Sequence, residues 1–101
     1  MLKQKNVSFK KGEMIKIAEI LKAVAHPDRL AILNLLCKSS DKRLGVKMIY
    51  EELNMQQPIV SRHLNILKNA GVVKRLQEGQ KCFYSLCFEN QAVKSLSGCF
   101  C

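Results

Sequence analysis

No run of apolar residues long enough to cross a membrane occurs in this 101-residue chain, so a transmembrane helix is not expected. The opening stretch MLKQKNVSFKKGE is basic, with neither an apolar core nor a cleavage pattern, which argues against export. Acidic residues are scarce. Eight Asp and Glu stand against 17 Lys and Arg, a formal charge of +9, and that imbalance favours an anionic partner, nucleic acid or a membrane surface. Cysteines are present without a scaffold-like framework: Cys37, Cys82, Cys87, Cys99 and Cys101 form an odd set. The expectation is a cytoplasmic protein with free thiols. Catalytic constellations are missing too. There are no paired carboxylates at catalytic spacing, no glycine loop to cradle a phosphate, and no Cys–His pair with an orienting third group, so an enzyme is not expected.

What is present is a globular composition, 48% hydrophobic and 25% charged, outside the disordered regime. The length fits one small domain, whose modest core invites burial against a partner. Residues 1–11 carry Lys3, Lys5, Lys10 and Lys11 and no acid. They read as a mobile basic arm that either solubilises the terminus or works near phosphates. Residues 12–101 read as the folded domain.

Periodicity predicts a first helix over residues 13–24, with Met14, Ile17, Ile20, Leu21 and Val24 at helical spacing. Ile15 widens the apolar surface beyond one stripe, as a helix that touches both its own core and a partner would need. His26-Pro27 ends that helix and starts a second, since proline suits a first helical turn and Asp28 complements the positive end. The second helix runs to about Cys37 with Leu30, Leu33, Leu36 and Cys37 inward, and Ser39-Ser40-Asp41 reads as a turn. A short third helix over residues 47–53 uses Ile49, Tyr50 and Leu53. Asn54 to Gln57 is a tight linker, and Pro58 starts a fourth helix that stops at Gly71, a suitable C-cap. Four residues between two short helices is helix-turn-helix spacing.

Two apolar-rich segments then flank Glu78-Gly79, the turn of a hairpin. Cys82, Tyr84 and Leu86 share one face of it; Phe83 and Ser85 take the other. A last helix is expected over residues 90–99 or beyond, with Ala92, Val93 and Leu96. The fold class is therefore mainly α with a small β-hairpin wing: a winged helix-turn-helix with helices at both ends.

The stretch QQPIVSRHLNILKNAG, residues 56–71, carries the functional signal. Val60, Leu64 and Leu67 form its buried stripe, with Ile59, Ile66 and partly His63 beside it. Ser61, Arg62, Asn65, Lys68 and Asn69 fall on the remaining surface. Amphipathicity alone is weak evidence, but the second helix of such a unit can enter a major groove. Gln56 and Gln57 lie at the leading end, where glutamine can pair with adenine and serine can serve phosphate or base. Arg62 suits a phosphate contact. On the hairpin, Lys74, Arg75 and Lys81 suit phosphate or minor-groove contacts outside the helix footprint. A membrane-bound helix would set large apolar residues opposite basic ones. Here the outward side is Ser, Asn and Arg, so double-stranded DNA is the preferred partner.

The stretches LKAVAHPDRLAILNLL at residues 21–36, QQPIVSRHLNILKNAGVV at 56–73 and EGQKCFYSL at 78–86 together resemble the ArsR/SmtB family of bacterial repressors. The three in order frame most of the chain, leaving only the basic arm and the tail poorly covered. The resemblance implies a homodimer joined mainly by its first and last helices, bound to a palindromic operator and released by an inducer, commonly a metal ion or a thiol-directed oxidant. It implies DNA contacts at Gln57, Ser61, Arg62 and His63, with wing support from Arg75 and Lys81. Only His63 conflicts with the face assignment, which turns it partly towards the core.

The inducer is the open point. Members that sense arsenic or cadmium carry Cys-Val-Cys at the third helix, where this chain has Gly45-Val46-Lys47. Members that sense zinc use Asp, His and Glu on the last helix, where this tail offers Glu89 and no histidine. No cofactor is therefore expected at those sites. Some members that sense sulfide, persulfide or oxidants pair one cysteine of the second helix with one of the last. Their helix-two cysteine aligns with Asn34, so Cys37 is displaced by about one turn, and a disulfide needs Cα atoms within roughly 7 Å. Three readings stay open: inert free cysteines, redox sensing through Cys37 with Cys99 or Cys101, and a soft metal held at the Cys99–Cys101 tail. Cys82 and Cys87 read as structural. A rival reading of the whole chain is a protein-interaction module that keeps the winged scaffold.

Overall fold

The computed structural model describes residues 10–101, so the basic arm expected over residues 1–11 lies, up to residue 9, outside the described residues. Helix α1 spans Lys11–Val24, two residues longer at its start than the apolar pattern predicts. Its first turn is held by the Glu13 carboxylate, which accepts from the Lys10 N–H. Lys11 is thus the first helical residue and does not belong to an arm. Helix α2, Pro27–Lys38, begins as expected at the proline, and the His26 ring caps it by accepting at Nδ1 from the Asp28 N–H.

Strand β1, Arg43–Gly45, follows and was not expected. It leads directly into α3, Val46–Glu52, and then α4, Gln57–Asn69. Both helix ends have identifiable causes. After α3, Asn54 takes the left-handed conformation at φ 52° while the Met55 N–H reaches back to the Tyr50 carbonyl. Asparagine tolerates that region better than other non-glycine residues. After α4, Gly71 does the same at φ 81°, with the Val72 N–H on the Leu67 carbonyl. Strands β2, Val73–Glu78, and β3, Lys81–Leu86, form the hairpin, with Gly79 at φ 61° in its loop. The sheet order is β1-β3-β2, antiparallel throughout, with Leu44 opposite Tyr84 and Arg75 opposite Tyr84 on its other side. Helix α5, Gln91–Leu96, ends in a 3-10 turn at Ser97–Cys99, shorter than the continuous helix expected.

The core is one cluster at the junction of these elements. Ile32, Leu33 and Leu36 of α2, Ile49 of α3, and Val60, Leu64 and Leu67 of α4 are fully buried, together with Val72, Val73 and Val93. Three expectations are corrected here. On α1, Ile20 and Ala23 are the buried residues, whereas Met14 and Leu21 face outward. On α2, Leu30 is exposed and Ile32 takes the inward position, because α2 carries apolar residues on several sides and its periodicity alone does not single out the packed one. On β3, Ser85 is buried as well as Leu86. Ser85 and Leu86 point to opposite faces of β3, so both faces are covered at this end of the strand.

Candidate nucleic-acid interface

Helix α4 has two chemically different sides. Val60, Leu64 and Leu67 point inward with no exposure, and His63 is 8% exposed. Gln56, Gln57, Arg62, Asn65 and Lys68 are exposed, and Ser61 is half-buried. The Gln57 amide donates to Ser61 Oγ at 2.9 Å, one turn further on, so these two polar groups form a pre-ordered pair on the outward side. No acidic residue occurs between Glu52 and Glu78. The amino-terminal end of α4, where unpaired backbone N–H groups carry partial positive charge, therefore meets no carboxylate in its own first turn.

The hairpin cations differ in how free they are. Arg75 and Lys81 are exposed. Lys74 is half-buried and bonded to Glu89 at 2.9 Å; that bond raises the Lys74 pKa and holds the Glu89 carboxyl below its usual range. Its charge is partly spent within the protein. Arg43 of β1, a residue the sequence reading did not single out, pairs with Glu78 and lies 4.4 Å over the Phe83 ring. It anchors the wing to β1.

His63 takes the inward position that periodicity gives it. Its Nδ1 accepts from Arg29 Nε at 3.2 Å, and Arg29 Nη1 donates to the Ala23 carbonyl at 3.1 Å. The His26 ring stacks at 4.7 Å, tilted by 52°. Burial first, then the His26 and Arg29 charges, pushes the His63 pKa down, so the ring is held neutral. Arg29 was missed by the sequence reading because its partner lies 34 residues away.

Two sets of residues carry metal-ligand chemistry. His26, Asp28 and His63 bring ligand-type atoms within 4.8 Å of one another. Both imidazole Nδ1 atoms, however, already accept from N–H donors, Asp28 N and Arg29 Nε. A cation on the remaining Nε2 atoms would need each ring's proton on Nδ1, facing those donors. The hydrogen bonding therefore opposes a metal there. The second set is the cysteine tail, and here the expectation of free thiols is corrected. Cys37 is joined to Cys101 in a disulfide with Cα atoms 5.5 Å apart. The one-turn displacement of Cys37 from Asn34 does not prevent pairing. The 3-10 turn brings the chain end back across α2, where the Asn34 amide donates to the Phe100 carbonyl at 2.9 Å and Phe100 is buried. Cys99 stays exposed and free, and Cys82 and Cys87 are half-buried thiols. With Cys101 engaged, the Cys99–Cys101 pair does not offer two thiolates to a soft metal in this state.

Known proteins match this arrangement. The sequence model described as "Bacterial regulatory protein, arsR family" matches residues 26–75. An uncharacterized HTH-type transcriptional regulator of Methanocaldococcus jannaschii is 49% identical over 69 residues, covering 68% of this chain and 75% of that protein. The crystal structure of the transcriptional repressor PagR of Bacillus anthracis superposes with a TM-score of 0.78 at 34% identity, covering 89% of this chain and 98% of that one. A homodimeric winged helix-turn-helix DNA-binding domain from Mycobacterium bovis, described as a possible ArsR-family regulator, superposes with a TM-score of 0.76 at 27% identity over 98% of this chain and 85% of that one. Among the described residues, no helix is long and apolar enough to cross a membrane.

Proposed function

This chain belongs to the arsR family of bacterial regulatory proteins and is a DNA-binding transcriptional regulator, and from that premise we propose that two copies bind a palindromic operator as a repressor. The observation that carries this is the outward side of α4: polar, free of acid, and set on the second helix of the turn beside a basic wing. On this reading Gln56, Gln57, Ser61, Arg62, Asn65 and Lys68 face the major groove. Arg75 and Lys81 meet phosphates, and Lys74 contributes less because Glu89 already holds it. The exposed Met14, Ile15 and Leu21 of α1 supply an apolar surface for the second copy, with α5 beside them.

Release of DNA by thiol oxidation is the finer part of the proposal. The Cys37–Cys101 disulfide, with Cα atoms 5.5 Å apart, supports it because the fold brings these two cysteines within the distance that a disulfide spans. A peroxide-class oxidant takes two electrons from the pair; the two thiols lose their protons, the S–S bond forms, and the peroxide leaves as water. The bond ties the segment after α5 to the end of α2, so oxidation acts beside α5, which is proposed to carry the dimer together with α1.

The test is a titration of a duplex spanning the promoter upstream of the chain's own gene, with reduced and with oxidised protein. Tight, salt-sensitive binding by the reduced dimer is expected, weakened by oxidation, with no oxidation response in Cys37→Ser. Affinity no better than for scrambled DNA would overturn the repressor, and equal affinity in both redox states would overturn the switch. Full partner binding by a Ser61→Ala, Arg62→Ala double variant that has lost operator binding would favour a protein-interaction module instead.

A further inference from the structure

The candidate DNA-facing helix is held from behind by a bond between two residues that are not themselves placed on its outer side. Arg29 stands at the start of α2 and uses two of its donors in opposite directions. Nη1 satisfies the Ala23 carbonyl at 3.1 Å, one of the last carbonyls of α1 that has no partner within its own helix. Nε meets His63 Nδ1 at 3.2 Å in the middle of α4. One guanidinium thereby joins the end of the helix proposed to meet the second copy to the helix proposed to meet DNA. The planar fork of arginine can do this where a lysine ammonium, a single point donor, cannot hold both directions.

We propose that Arg29, acting through His63, is the positioning residue that sets α4 against α1 and so fixes the angle at which the outer face of α4 is presented to DNA. This rests on the operator-binding reading above and adds a condition to it: the link exists only while His63 is neutral. An arginine Nε–H can only donate, so Nδ1 of His63 must be unprotonated and its proton must sit on Nε2. A protonated ring turns an N–H towards Arg29 Nε–H and adds like charge beside it, which breaks the link.

The groups that face the ring are known from each packed element. From α2 and its cap come Arg29, Asp28 and the His26 ring; from α4 itself comes Arg62. Asp28 alone favours protonation, and its carboxylate lies 3.7 Å from Nε2, too far for a hydrogen bond. The balance keeps His63 neutral down to a pH below the ordinary histidine value of about 6.5. Adding protons to a basic protein strengthens its attraction for phosphates. The positioning link predicts the opposite sign, weaker operator binding in mild acid.

The experiment is the same promoter-duplex titration with reduced full-length protein at about pH 7.5 and about pH 5.5, for wild type, Arg29→Ala, Arg29→Lys and His63→Asn. Asparagine at 63 puts a carbonyl acceptor close to the position of Nδ1 and does not titrate. Expected losses are about tenfold for wild type on acidification, and about tenfold at pH 7.5 for both Arg29 variants, the size of one charge-assisted hydrogen bond. His63→Asn is read against its own affinity at pH 7.5, and that affinity is expected to change less than about twofold between the two pH values, because the amide does not titrate. Dimer content, measured in parallel by sedimentation, is expected to stay unchanged. Wild-type affinity that is flat or rises in acid would overturn this inference alone, as would a wild-type pH response in His63→Asn. Absence of operator binding by wild type at pH 7.5 would overturn the reading it rests on, and this with it.

Discussion

Helices α1 and α4 are of similar length and each buries one face, yet their outward faces differ. On α1 the exposed side carries Met14 at 51%, Ile15 at 56% and Leu21 at 44% exposure. On α4 the exposed side carries Gln57, Arg62, Asn65 and Lys68, with Ile59 as its one exposed large apolar residue. Exposed apolar surface on a small domain marks contact with protein; an acid-free polar surface marks contact with a polyanion. On the proposed reading, the difference gives the two helices different partners, a second copy for α1 and DNA for α4.

The largest expected effect separates the inner and outer sides of α4. Leu64→Ala removes a fully buried side chain and should cost about 2–5 kcal/mol in chemical denaturation. Its neighbour Asn65→Ala should stay within about 0.5 kcal/mol. Equal costs for the two would remove the two-sidedness on which the comparison depends. Next comes α1. Leu21→Glu puts a carboxylate on its apolar face and should weaken self-association by about 2 kcal/mol, roughly 30-fold, in sedimentation runs at several concentrations. An unchanged dimer would detach that face from the partner.

Arg62→Ala should leave self-association alone and weaken operator binding by about 1–2 kcal/mol, while lowering the slope of log affinity against log salt by about 1. A loss of affinity with an unchanged salt slope would point away from a phosphate contact. The smallest effect concerns stability in acid. His63 is more reluctant to take a proton when folded than when unfolded, so below about pH 6.5 the unfolded chain binds more protons and stability falls with pH. The melting temperature of wild type should therefore drop over that range, and His63→Asn should remove part of the drop. A larger acid loss in His63→Asn than in wild type would contradict the assigned sign.

Legibility differed in the same way between regions. The two-sided pattern of α4 was readable because helical periodicity is local, and Pro58 and Gly71 mark its ends within the same stretch. The wing was readable from Glu78-Gly79 for the same reason. Strand β1 was not: three residues carry no alternation, and Arg43–Gly45 becomes a strand only because Phe83–Ser85 lies beside it. Leu30 and Ile32 exchanged their expected roles because α2 is apolar on several sides, so its own sequence does not say which side meets α4.

Local order therefore follows from residue types alone: the sequence of helices, the wing, the basic charge and the polar outer side of α4. These depend on neighbours within a few positions, through periodicity, caps and turn glycines. Three features required the folded chain. Arg29 reaches His63 across 34 positions, Cys37 reaches Cys101 across 64, and β1 finds β3 across about 40. Each depends on where separate elements come to rest, and that is decided by how the side chains of α1, α2 and α4 pack into one core.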